Sequence, residues 1–279
     1  MADIRSRQFD LRSLAPILAA VVMAGCAAAT PRAGLPTGEE NPPVDFYVEP
    51  LHSTAKLDPA ATVHIVNRWG DIQVRSATEA GSVQVDAAVQ RIGESPPARP
   101  TFAISEDSGR FDLEVQYPAA ALEPRTGRVD LAVYVPDGMH VDLETLDGGI
   151  EVKKTSLDLK ARTQSGDVFF INQGDVDVET DSGNVVARPT RPGWGALRLY
   201  SYRGKITALL PAGQGLEVVA RGTGDIHSDW PLESQGPNHL LAFGVQDEKR
   251  DTVLITSGGS IELLEVVLRP ELGETQTRP

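Results

Sequence analysis

A glycine-centred unit recurs along this chain and restricts its fold more than any other feature. Residues 141–152, 159–170 and 176–187 share one template, anchored on Gly148, Gly166 and Gly183. Seven residues before each anchor sits Val141, Leu159 or Val176; five before, Leu143, Ala161 or Val178; two after, Ile150, Val168 or Val185. Apolar residues at period two mark strands with one buried face. Glycine in the turn is expected to supply the positive-φ backbone that other residues avoid. Gly70 repeats the offsets with Val63, Ile65 and Ile72, and Gly204 does so with Leu197, Leu199 and Ile206. Gly224 and Gly259 keep Ile226 and Ile261 after the glycine, but their upstream pairs, Leu216 with Val218 and Val253 with Ile255, are displaced by one residue. From Gly148 to Gly224 the anchors are spaced by 18, 17, 21 and 20 residues. A steady period near 20 implies an array in which each unit stacks on its neighbours. At roughly 3.3 Å per residue, one unit holds two or three short strands and their corners.

Beyond the N-terminal segment no stretch of ten residues shows a helical period. The expected fold is therefore all-β: a β-solenoid-like stack of short strands with a repeat near 20 residues, preceded by antiparallel hairpins. The hairpin signals are the alternation of Val83, Val85, Ala87 and Val89, and a polar turn at 106–109 between two apolar runs. Residues 129–138 read as a strand stopped by Pro136 and turned at Gly138.

The N-terminus reads as an export signal. Arg5, Arg7 and Arg12 lead into an apolar run from Leu14 to Ala24, too short to span a bilayer as a mature helix. The run ends in Met23, Ala24, Gly25 and Cys26, which resembles the bacterial lipobox, whose cysteine is acylated and becomes the first mature residue. Cys26 is the only cysteine among 279 residues, so no disulfide within the chain is available and stability must come from core and ladder. Ala27 is not the Asp that retains many lipoproteins at the inner membrane, so an outer-membrane address is expected. The domain reading is a lipoprotein signal peptide at 1–25, a proline-rich tether at 26–55, the β-repeat domain at 56–268 and a polar tail at 269–279, expected to be disordered. Residues 45–48 are a first strand or a clip on the domain.

The formal net charge of −13 argues against nucleic acid, whose phosphates need a basic face. The acidic and amide turn residues Asp71, Asp147, Asp167, Asp181, Asn184 and Asp225 would line one edge of a stack. Such an edge either binds calcium or caps tight turns; the nine-residue calcium repeat is absent, and no metal or cofactor is expected. The histidines His52, His64, His140, His227 and His239 have no metal-ligand spacing. Neither a hydrolase nucleophile elbow nor a phosphate-binding loop is present.

One combination is more specific. Val133, Val135, Pro136 and Gly138 are followed by Val141, Leu143, Thr145, Gly148 and Ile150. Then come Thr163, Ser165, Gly166, Asp167 and Val168, and finally Thr180, Ser182, Gly183 and Val185. This order resembles the bacterial putative-adhesin family, a β-strand-repeat domain of unknown function related to the head domains of autotransporter adhesins. The resemblance spans about Val63 to Val267. It implies a solenoid-like fold and a cell-envelope location, and it brings no established activity and no catalytic residues.

The expected function is that of a lipid-anchored cell-envelope protein whose non-catalytic β-repeat domain serves adhesion or scaffolding, with membrane contact through Cys26 and a glycan or envelope protein as partner. The alternative is a periplasmic sensor or regulatory lipoprotein that docks on a membrane complex. A polysaccharide-active β-helix enzyme is the less favoured reading. The candidate binding residues are Arg191, Trp194, Arg198, Tyr200 and Tyr202. Residues 188–196 hold two prolines and two glycines, which marks a protruding loop with Trp194 between Gly193 and Gly195. Tyr200 and Tyr202 follow on one side by period two, and aromatic rings beside arginine have the composition of a binding hot spot. The opposite reading folds Trp194 back over a coil edge.

Overall fold

A computed structural model describes residues 46–58, 61–92, 100–107, 109–118, 127–189, 195–211, 217–236, 239–243 and 251–266. The signal segment, most of the tether, Arg191, Trp194 and the tail lie outside the described residues. The described residues are all-β. β1 (Phe46–Lys56) is followed by β2 (Thr62–Trp69), which turns at Gly70 into β3 (Ile72–Ser76). Next come β4 (Ser82–Ile92), β5 (Thr101–Asp107), β6 (Arg110–Gln116) and β7 (Gly127–Val135). Short pairs then follow: β8 (His140–Asp147) with β9 (Ile150–Thr155), β10 (Asp158–Ser165) with β11 (Val168–Asn172), and β12 (Val176–Thr180) with β13 (Val185–Ala187). The series continues with β14 (Leu197–Ser201) and β15 (Ile206–Pro211), then β16 (Glu217–Arg221) and β17 (Ile226–Ser228). The hairpin β18 (Leu232–Gly236) and β19 (His239–Phe243) precedes the last pair, β20 (Asp251–Thr256) and β21 (Ile261–Val266).

These strands form two sheets. One runs β1-β4-β7-β3-β9-β11-β13-β15-β21-β17, the other β18-β19-β16-β20-β14-β12-β10-β8-β2-β6-β5. Each coil gives one strand to each sheet, and coil packs on coil in parallel register. Antiparallel strands stand at three of the four sheet ends, where β1 pairs with β4, β4 with β7, β5 with β6 and β19 with β16 and β18; the fourth end is β17, parallel to β21. Capping of this kind leaves less parallel edge open to a second chain.

The template offsets are the core. Ile72, Ile150, Val168, Val185, Ile206 and Ile261 lie in one row across the first sheet, each 1% exposed or less. Such a row is stable because β-branched side chains pack well on a pleated face, and each full burial contributes roughly 1.5–3 kcal/mol.

Three expectations change. First, β1 begins at Phe46, so residues 46–55 are a strand pairing with β4, not tether; the alternating Leu51, Ser53 and Ala55 outweigh Pro50, which an outermost strand tolerates. Second, the coils do not stack in chain order. β14 and β15 are followed on the stack by β20 and β21, and only then by β16 and β17. The last coil fills the place between two coils laid down before it. Third, the upstream pair of Gly259 is not displaced: Leu254, five residues before it, is buried, while Val253 and Ile255 are half-buried. At Gly224 the register is displaced by one residue, but toward the glycine: Val218 pairs with Thr252, and the buried Ala220, four residues before Gly224, pairs with Leu254. The template positions therefore fall on Val218 and Ala220, and not on Leu216, outside the described residues, and Val218.

Candidate functional site

Where the two sheets meet at the anchor glycines, the backbone makes a continuous corner. A β-carbon placed on Gly148 would lie 2.0 Å from the Gly70 carbonyl oxygen, and one on Gly166 would lie 1.9 Å from that of Gly148. The column continues through Gly183, Gly204, Gly259 and Gly224, each against the carbonyl of the neighbouring coil. No side chain fits at such distances. This corrects the expected role of these residues: of the anchors only Gly70, at φ 119°, has a left-handed backbone. Glycine is required at the others because coils approach one another closely.

A ladder of hydroxyls three residues before the anchors seals the corner. Thr163 donates to the Gly148 carbonyl (3.1 Å), Thr180 to Gly166 (3.2 Å), Ser201 to Gly183 (2.8 Å) and Thr256 to Gly204 (3.1 Å). Thr180, Ser201 and Thr256 also accept from the N–H of their own anchor. Each hydroxyl thus joins two coils and satisfies buried polar groups that would otherwise be unpaired. One residue past the anchors, Asp71 Oδ1 accepts the Gly149 N–H (2.8 Å), Asp167 Oδ1 the Asn184 N–H (2.7 Å) and Asn184 Oδ1 the Lys205 N–H (3.0 Å). These side chains cap the neighbouring coil rather than their own turn.

The corner carries two different surfaces, one at its end and one along its length. At one end Trp69, 5% exposed, stands edge-on to Tyr117 with ring centroids 4.6 Å apart. The Tyr117 hydroxyl lies 2.6 Å from the Trp69 carbonyl and 2.8 Å from Asn67 Oδ1. Burial raises the Tyr117 phenol above its ordinary pKa and keeps it a neutral donor. Arg128 bridges Asp130 (2.5 Å) and Asp71 (3.0 Å) beside it. A cavity of about 250 Å³ opens here, lined by Trp69, Gly70, Asp71, Arg128, Asp147, Gly148, Gly149, Ser165 and Gly166. Arg68 stacks over Trp69, its guanidinium 5.2 Å from the ring centroid.

Four coils along the corner is Tyr202, two residues before Gly204, with the Gly259 and Gly224 coils stacked beyond it. It is 60% exposed, the most exposed large hydrophobic side chain among the described residues. The Arg203 guanidinium lies 5.9 Å from its ring centroid. Tyr200 is half-buried on the outer face of β14, between Glu179 and Ile255, and Arg198 is exposed on the same face. Between Trp69 and Tyr202 the corner presents Leu146, Asp147, Gln164, Ser165, Asp181 and Ser182. From Trp69 to Tyr202 are four coil spacings, about 19 Å at 4.8 Å each. Of the candidate residues, then, Tyr202 stands at the corner and Arg198 and Tyr200 on the adjoining face. Sequence reasoning misses the Trp69 end, although an aromatic residue immediately before an anchor glycine is a visible signal.

No family model matches this chain, and neither does any curated protein. Some solved structures show a likeness to this chain. One is a putative cell adhesion protein from Clostridium sporogenes ATCC 15579, 14% identical, with TM-score 0.49, covering 78% of this chain and 100% of that one. A putative adhesin from Bacteroides fragilis NCTC 9343 is 8% identical, with TM-score 0.31, over 78% and 97%. A putative adhesin from Parabacteroides merdae ATCC 43184 is 10% identical, with TM-score 0.24, over 78% and 96%. At such identities function has to be argued from the molecule itself.

Proposed function

We propose that this chain is a non-catalytic adhesion or scaffold module of the cell envelope, held at a membrane, in this reading the outer one, by lipid on Cys26, and that it grips its partner along the glycine corner. One observation carries the reading: an arginine beside an aromatic ring at two places along the corner four coils apart, Arg68 at Trp69 and Arg203 at the exposed Tyr202, with hydroxyl, amide and carboxylate groups between. Aromatic and arginine side chains supply most binding energy at interfaces, and a polar strip between them suits an extended glycan or an envelope protein segment. The backbone beneath is locked coil to coil, so little ordering is left to oppose binding. Arg191 and Trp194, outside the described residues, enter the proposal on composition alone, as an arginine and an aromatic residue preceding β14 in sequence.

Tyr202→Ala and Arg203→Ala are expected to leave the melting temperature within about 2 °C of wild type and to reduce binding to envelope glycans or cross-linked envelope proteins at least tenfold. Unchanged binding in both variants would overturn the corner as the site. Trp194→Ala separates its two readings: lost binding with retained stability supports a binding role, and a large fall in melting temperature with unchanged binding makes it core. Cys26→Ser should move the protein from the membrane pellet to the soluble fraction; a variant that stays with the membrane removes the anchor from the proposal.

A further inference from the structure

The outer face of the second sheet carries a second constellation, away from the corner. Parallel register sets Asp112, His64, Asp142 and Lys160 side by side in one row, with Glu144 one step along β8 in the next. His64, Asp142 and Glu144 are all half-buried, and one ligand atom from each lies within 4.8 Å of the other two. Asp142 Oδ2 lies 3.4 Å from Lys160 Nζ. Its Oδ1 is buried without a hydrogen-bond partner, the only such side-chain atom among the described residues. His64 Nδ1 is 2.9 Å from Asp112 Oδ1, which in turn accepts from Arg110 Nε at 2.7 Å. A carboxylate that holds one imidazole nitrogen fixes the tautomer and leaves the other nitrogen's lone pair for a metal, as in carboxylate–histidine–zinc sites.

The geometry points to a divalent transition-metal site formed by the free ring nitrogen of His64, Asp142 Oδ1 and a Glu144 carboxylate oxygen. One imidazole and two carboxylates suit zinc in particular: ligand distances are about 2.0–2.2 Å, and three protein ligands leave a fourth tetrahedral position for water or a partner's donor. Calcium and magnesium prefer all-oxygen shells. The metal would give the unpartnered Asp142 oxygen its counter-charge. Lys160 and Arg162, the latter 4.0 Å from Glu144 and 3.2 Å from Glu179, have other carboxylates or solvent to turn to. Three other histidine–carboxylate pairs, His52 with Asp86, His140 with Asp158 and His227 with Asp229, belong to no such group of three among the described residues.

The test is calorimetric titration of the purified, untagged full-length chain with zinc chloride. One equivalent is expected to bind with a rise in melting temperature, and excess calcium chloride should not displace it. His64→Gln and Glu144→Gln should each weaken binding at least tenfold, and Asp112→Asn should do so by roughly tenfold through the ring it orients. His140→Gln should bind as wild type. Glu144 is 44% exposed at its side chain, so its variant stays informative if His64→Gln proves unstable. Absence of stoichiometric zinc binding, or wild-type affinity in Glu144→Gln, overturns the site.

Discussion

Replacing Gly166 by alanine tests whether the glycine column exists for close approach or for backbone conformation. The new β-carbon would sit 1.9 Å from the Gly148 oxygen and 2.5 Å from the Gly148 carbonyl carbon. Ordinary contact needs more than about 3 Å, so two backbones must part by about an ångström or more. Three bonds cross that gap: Gly148 N–H to Ser165 O (3.2 Å), Ile150 N–H to Asp167 O (2.9 Å) and Thr163 Oγ1 to Gly148 O (3.1 Å). At about 1 kcal/mol each the loss is roughly 3 kcal/mol, or about 6–12 °C in melting temperature for a domain of this size. Gly138 is the control, with φ 86° and no other atom within 4 Å of the place its β-carbon would take. Gly138→Ala should cost only the left-handed penalty, about 1–2 kcal/mol. Urea unfolding of both variants reads the difference. If Gly166→Ala costs no more than Gly138→Ala, the close-approach argument is wrong.

Two further outcomes follow from the same geometry. Thr180→Val keeps the shape but strips Gly183 N–H and Gly166 O of their shared partner, so it should cost about 2 kcal/mol in urea unfolding; Thr180→Ser, which keeps the hydroxyl as Ser201 does, should cost about 1 kcal/mol. Partial burial works to raise the Glu151 carboxyl, but hydrogen bonds from Lys153 and Arg75 outweigh it and hold the group below its ordinary pKa. Its stabilising contribution is therefore present above the ordinary carboxylate range and is lost as pH falls through the native value. Wild type should melt above Glu151→Gln near neutral pH, and the gap should close in acid; a gap that is independent of pH would contradict this.

Much of the coil register is legible in the sequence because it rests on two strong local signals. Apolar residues at fixed offsets from Gly70, Gly148, Gly166, Gly183 and Gly204 are the buried ones, and the pairing of Ile150, Val168 and Val185 follows from those offsets. At Gly259 the pattern misleads, since Thr252 stands where the template has an apolar residue and the outward Val253 and Ile255 mimic an inward pair. Stack order is not legible at all. Every coil presents the same row to its neighbours, so periodicity alone does not say whether Gly224 or Gly259 lies against Gly204. The candidate metal residues are hidden for a related reason: His64 and Asp142 are 78 residues apart in sequence and become neighbours only when β8 pairs with β2. At the candidate site Tyr202 stands out by composition, whereas Trp69 does not, because its partners Tyr117 and Arg128 come from outside its own coil.

The most direct test of the account is the order of the stack that builds the corner. With Cys26→Ser removing the native thiol, Thr207→Cys can be combined either with Glu262→Cys or with His227→Cys. Thr207 and Glu262 are paired on adjacent strands, and Glu262 separates Thr207 from His227. Adjacent positions are about 4.8 Å apart and alternate ones about 9.6 Å, while a disulfide needs Cα atoms within about 6.8 Å. Oxidation followed by mass analysis should show an intramolecular cross-link in Thr207→Cys/Glu262→Cys and none in Thr207→Cys/His227→Cys. The reverse result would mean that the coils stack in chain order, with Gly224 rather than Gly259 against Gly204, and the stack described here would be wrong.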